Sequence, residues 1–98
     1  MTRDDAIIQL KAHADSVRDM GATSLYLFGS TARGDARPDS DLDLFIDDDP
    51  ESRFNGLDLV GIKLFLEERL GTEVDVTTRD SLHPRLRARI EQSAIKVF

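Results

Sequence analysis

Apolar residues recur along this chain with two periods, one near 3.6 and one of 2. Ile7, Leu10, Ala14 and Val17 lie three or four apart, the spacing of one helix face, and predict a helix over about residues 3–20. Thr2 and Asp5 stand at capping-box spacing before it, with Asp in place of the usual Glu. Gly21 is its natural stop. Residues 24–28 (SLYLF) are apolar on both faces and read as an internal strand. A brief helix over residues 30–33 follows, closed by Gly34, and Pro38 keeps residues 35–40 a loop. Residues 41–47 alternate at their start and predict a second strand. The acidic run Asp47-Asp48-Asp49 before Pro50 reads as a solvated strand end and turn rather than a metal site.

Past a surface connection over residues 51–55, Leu57, Val60 and Leu64, joined by Leu59, Ile62, Phe65 and Leu66, mark a helix over about residues 56–70. Gly61 inside it costs about 1 kcal/mol relative to Ala, which suggests close packing there. Gly71 caps its end. Residues 72–78 (TEVDVTT) predict a strand with Val74 and Val76 on one face and Asp75 on the other. Asp80 or Ser81 begins a last helix with Pro84 in its first turn. Leu86, Ile90 and Ala94 line its buried side, and Arg85, Arg87 and Arg89 face out. The apolar tail, residues 95–98, packs back on the domain. The order of elements predicts an α/β (α+β) fold: one small domain over residues 1–98, with a central mixed sheet of three to four strands flanked by helices.

Composition narrows the class. Ninety-eight residues support one core and little more. No apolar run is long enough to span a membrane, and the charged N-terminus lacks a secretory core, so cytoplasm is the expected compartment. The absence of cysteine excludes disulfides, thiolate metal sites and cysteine nucleophiles. A formal net charge of −6 argues against broad nucleic-acid binding. Arg79, Arg85, Arg87 and Arg89 still form a local basic stretch suited to an acidic partner or a triphosphate.

The chemistry gathers between residues 24 and 46. Asp41 and Asp43, two apart in a strand, project to one face about 7 Å from each other. Two like charges so placed repel, and an oxygen-seeking divalent cation is the simple remedy. Gly29-Ser30 joins a strand to a helix, where backbone N–H groups can approach a phosphate. Ser30 can also donate to a phosphate oxygen, or serve only as a helix cap. Arg33 lies one turn on, able to clamp a triphosphate or to pair with a nearby aspartate. Arg37 is a weaker candidate for the same task. Asp75 is either a third carboxylate beside the pair or a solvent-facing residue on an edge strand. His13 has no second ligand near it in sequence and reads as a helix flank residue. There is no Walker loop or Rossmann fingerprint, and no serine, cysteine or zinc hydrolase pattern.

Gly29-Ser30, ten intervening residues and Asp41-x-Asp43 resemble the GS…DxD signature of the DNA polymerase beta-like nucleotidyltransferases. The fuller run Gly29-Ser-Thr-Ala-Arg33-Gly34…Ser40-Asp41-Leu-Asp43-Leu44 resembles the minimal nucleotidyltransferase branch, the MntA-type antitoxin-like proteins. The likeness covers almost the whole chain. It implies a polymerase beta-like fold and Mg²⁺ as cofactor, two ions with Mn²⁺ as a substitute. Asp41, Asp43 and Asp75 would be the metal-binding, catalytic acids, and Gly29, Ser30 and Arg33 would hold the nucleotide. It further implies transfer of AMP from ATP to a hydroxyl of a protein partner, a tyrosine of a HEPN-type RNase toxin, with this chain as the antitoxin. The short chain leaves no room for a separate acceptor domain. Two other readings remain: an antitoxin that neutralises its partner by binding alone, and transfer to a small molecule. Self-association, or assembly with the partner, stays open.

Overall fold

In the computed structural model, which describes residues 1–98, the chain begins with α1 (Arg3–Ala12), α2 (Ala14–Asp19), β1 (Ala22–Phe28) and α3 (Gly29–Arg33). It continues through β2 (Leu42–Asp48), α4 (Gly56–Leu70) and β3 (Val74–Thr78). A 3₁₀ turn (Arg79–Ser81), α5 (Arg87–Ser93) and β4 (Ile95–Lys96) complete it. The strands form one mixed sheet in the order β3-β2-β1-β4. β1 pairs antiparallel with both β2 and β4, and β2 pairs parallel with β3.

Strand alternation gives the sheet two unlike faces. Leu25, Leu27, Leu42, Leu44, Ile46, Val74 and Val76 point to one side and share a core with Ala6, Leu10 and Val17 of the first two helices and Ile62, Leu66 and Leu70 of α4. The other face carries Tyr26, Phe28, Asp43, Phe45 and Asp47. Phe45 is fully buried there, stacked on Tyr26 with ring centres 4.7 Å apart. The Arg79 guanidinium covers both rings, 4.8 Å from Tyr26 and 5.0 Å from Phe45. It also donates two bonds to Asp47, 2.7 and 3.0 Å, and one to Glu91 of α5, 2.8 Å. One arginine thus ties α5 to the far face of the sheet.

The helical period alone misassigns several positions. The first helix breaks at His13, whose N–H turns back to the Leu10 carbonyl at 3.1 Å while its ring meets the edge of Phe65, 5.7 Å away. Of the capping box only the bond from the Asp5 N–H to Thr2 Oγ1 forms, 3.1 Å. In α4 the buried line is Ile62, Leu66 and Leu70, with Leu59 and Phe65 partly covered. Leu57, Val60 and Leu64 are 83%, 49% and 58% exposed. Apolar residues occupy both sides of this helix at valid spacing, and only the docked sheet decides which side is inside. An unforeseen capping box of Asn55 and Asp58 fixes its start. The basic C-terminal helix begins later than its sequence suggests. Leu82 takes an extended conformation and is buried, and Pro84 lies in a turn before α5, which leaves Leu86 47% exposed. Asp47 is not a solvated strand end but the carboxylate that seats Arg79. The apolar tail does pack back, as β4, with Leu27 opposite Ile95.

Gly61 is not forced by packing. A Cβ there would meet only the Met20 methyl, at an ordinary 3.5 Å. Gly61→Ala should therefore stabilise the fold by about 0.5–1 kcal/mol, mostly by restricting the unfolded chain. Calorimetry should show the midpoint rising by about 4 °C. A falling midpoint would mean that Met20 cannot share that space.

Candidate active site

The hydrogen-bonding register brings the marked residues to one end of the sheet. Phe28, the last residue of β1, pairs with Asp43 of β2, and Asp43 pairs with Asp75 of β3. Paired residues on neighbouring strands point to the same face, with strands about 4.8 Å apart. Asp43 is half-buried, and Asp75 stands exposed beside it. Asp41 precedes β2 by one residue and is exposed. β3 is an edge strand, so Asp75 is both solvent-facing and neighbour to Asp43.

Gly29 follows Phe28 directly, at φ +74°, in the left-handed region that favours glycine. A methyl group at this position would overlap the Asp43 carboxylate. Glycine is thus required twice, by the backbone and by the acid pressed against it. Phe28 occupies the cap position of α3, and no side chain caps that end, so Ser30 lies one step inside the helix and is not its cap. Arg33 pairs with Asp35 at 3.3 Å, both side chains about 60% exposed. Such an exposed pair holds weakly and releases its arginine readily. Arg37 is exposed, and its backbone N–H bonds the Ser40 hydroxyl at 2.9 Å within the loop.

The acids act on one another. Burial, then the charges of Asp75 and Asp41, raise the Asp43 carboxyl above its ordinary value, and Arg33 offsets this in part. The acids form an open edge, with no group of three or more Asp, Glu or His close enough to enclose an ion. Mg²⁺ takes a few carboxylates together with waters and phosphate oxygens rather than an all-protein cage, so an ion here would need the phosphates of a bound nucleotide to complete its ligands. The largest cavity, about 480 Å³, lies elsewhere, between the start of α1 and residues 31–38.

Two networks around the site are not evident from sequence. Arg79 looks like part of a basic patch, yet Asp47 and Glu91 occupy it, and Arg87 pairs with Glu91 at 3.0 Å and Asp80 at 3.4 Å. Lys63 and Glu67 have the spacing of a helix-surface ion pair, 3.1 Å apart, but both also bond the backbone of Val74. The Val74 N–H, then Lys63, lower the Glu67 carboxyl below its usual value.

Asp43 binds its proton more tightly folded than unfolded, so folded stability falls as pH rises from the unfolded value through the raised one. Its ionised form therefore costs the metal-free fold stability at neutral pH. Asp43→Asn should raise the thermal midpoint at pH 7, and the gain should vanish under acid conditions where both side chains are neutral. Equal midpoints at pH 7 would show that the acids do not strain the fold.

Comparison with known proteins gives a consistent assignment. A family model described as a nucleotidyltransferase domain matches residues 10–97. A Methanocaldococcus jannaschii protein, provisionally named a protein adenylyltransferase, is 42% identical over 78 residues, 80% of this chain and 82% of that one. A solved structure provisionally described as a minimal nucleotidyltransferase is 37% identical, covers 97% of this chain and 95% of its own, and superposes with a TM-score of 0.82. A chain from a solved complex of a tri-AMPylated HEPN toxin with an MNT antitoxin, from Shewanella oneidensis, shares the fold. It does so with a TM-score of 0.64 at 16% identity, over 90% of this chain and 68% of that one.

Proposed function

The chain belongs to the nucleotidyltransferase domain family and is a nucleotidyltransferase, and on that premise we propose that it transfers AMP from ATP to a hydroxyl of a protein partner. The observation that carries this reading is the register Phe28–Asp43–Asp75, with Gly29 pressed on Asp43. It brings the glycine turn beside paired acids, which supports the reading. Asp41, Asp43 and Asp75 would hold Mg²⁺ together with the phosphates of ATP. When bound, the metal supplies neutralisation of the charge that builds on phosphate and attacking oxygen.

The protein's own groups do the rest. Gly29 leaves room for the Asp43 carboxylate to lie against the turn, and Ser30 donates its hydroxyl to a β- or γ-phosphate oxygen. Arg33 leaves Asp35 and clamps the triphosphate with paired N–H donors. Asp75 accepts the proton of the acceptor hydroxyl. The acceptor oxygen bonds to the α-phosphorus, the bond from that phosphorus to the bridging oxygen breaks, and pyrophosphate leaves. The M. jannaschii relative's name supports a protein acceptor. The fold shared with a chain of the complex between a tri-AMPylated HEPN toxin and an MNT antitoxin supports a HEPN-type toxin as the partner, and a tyrosine of that toxin is the acceptor hydroxyl we propose. We place this reaction in the cytoplasm, with the chain as the antitoxin of such a pair.

The test is ATP labelled at the α-phosphate, incubated with the chain, Mg²⁺ and its HEPN-type partner. Label should move to the partner, should not move from γ-labelled ATP, and should vanish with Asp41→Asn/Asp43→Asn. Absence of transfer from any NTP would overturn the proposal. If the double variant then still neutralises the partner, the chain acts by binding alone. Label on a small acceptor without protein would mark the small-molecule reaction instead.

A further inference from the structure

Of the three proposed acids, Asp75 is the one on an edge strand. Its strand starts only two residues after the bend at Thr72 and has a partner on one side alone. Strand edges fray, because half of their backbone groups have no ladder to join. Glu73 turns its carbonyl toward β2, accepting from the Leu42 N–H at 3.0 Å. By the alternation of a parallel ladder, Val74 turns its N–H and C=O the other way, off the sheet.

Those outward groups are held by side chains. The Val74 N–H donates to Glu67 Oε2 at 3.1 Å, and the Val74 carbonyl accepts from Lys63 Nζ at 2.7 Å. Lys63 Nζ also donates to the same Glu67 oxygen at 3.1 Å, closing a ring of three bonds. Successive helical turns of α4 thus stand in for a missing strand. Val74 is 1% exposed, its side chain locked in the core below. The next residue is Asp75, aimed at the opposite face, level with Asp43.

We infer that Lys63 and Glu67 are positioning residues for Asp75: by fixing the Val74 backbone they hold the third acid at its register position opposite Asp43. Neither touches the substrate. The inference rests on the reading of Asp75 as an acid of the nucleotide site.

Mn²⁺ binding to the full chain, followed by electron paramagnetic resonance with saturating AMP-PNP, tests it without turnover. Glu67→Ala should weaken Mn²⁺ binding about tenfold, within the range seen when groups supporting a metal ligand are removed. Lys63→Met should act in the same direction, and Glu67→Gln, which keeps an acceptor for the Val74 N–H, should recover most of the loss. Amide exchange at Val74 and Asp75 should quicken in Glu67→Ala while the β1–β2 amides stay protected. Asp75→Asn should cost at least as much Mn²⁺ affinity, and adding Glu67→Ala to it should cost nothing more, because both act through one carboxylate. If Asp75→Asn weakens binding but Glu67→Ala does not, or if the two losses add in full, the positioning role is overturned. If Asp75→Asn binds Mn²⁺ as the unaltered chain does, or that chain binds none, the reading of Asp75 fails and the inference falls with it. Should Glu67→Ala not fold, Lys63→Met and Glu67→Gln carry the same comparison.

Discussion

Everything at the site depends on Asp43 being caught between two hydrogen-bonded strands. Phe28 lies on one side of it and Asp75 on the other. An isolated loop would move such acids apart, since burial and mutual repulsion both penalise their charge. The sheet prevents that, because separating Asp43 from Asp75 means breaking the β2–β3 ladder. Leu42 and Leu44, buried on the opposite face, hold the same strand from behind. The apolar core is thus what maintains an electrostatically unfavourable front.

That arrangement explains why the site was legible and much of its support was not. The run Leu42-Asp43-Leu44 carries its own geometry, since a period of two puts Asp43 forward and the leucines back, whereas Asp41, expected in the same strand, lies one residue before it. Gly29-Ser30 was legible because glycine at a strand end already implies an unusual backbone, although the overlap with Asp43 required coordinates. The α4 stripe was not legible in the same way. Leu57, Val60 and Leu64 satisfy the helical period as well as Ile62, Leu66 and Leu70 do, and nothing local distinguishes the two lines. The start of α5 was misplaced because a short 3₁₀ turn and an extended Leu82 absorb residues that a helical pattern would claim. Asp47 and Arg79 are 32 residues apart, and a charge pair at that separation leaves no periodic trace.

The two polar networks do different work around one sheet. Arg79 seals an aromatic cluster on the site face and docks α5 through Glu91, so its charge is spent on structure rather than offered to a ligand. Lys63 and Glu67 finish an edge. Arg33 contrasts with both, held only by an exposed pair with Asp35.

The fourth strand has a bearing on how the chain reaches this state. Tyr26 pairs with Lys96, about seventy residues later, and the Val97 N–H bonds the Leu25 carbonyl at 2.8 Å. During synthesis β1 can join β2 and β3 long before residues 95–98 leave the ribosome. Until then one side of β1 is an open, apolar template for a stray strand, two residues from the glycine turn. Closing such a long loop is entropically slow relative to local pairing. Residues 95–98 are therefore those that convert a three-stranded intermediate with an open β1 edge into a protected sheet, and the interval before they pair is when that edge is open to aggregation.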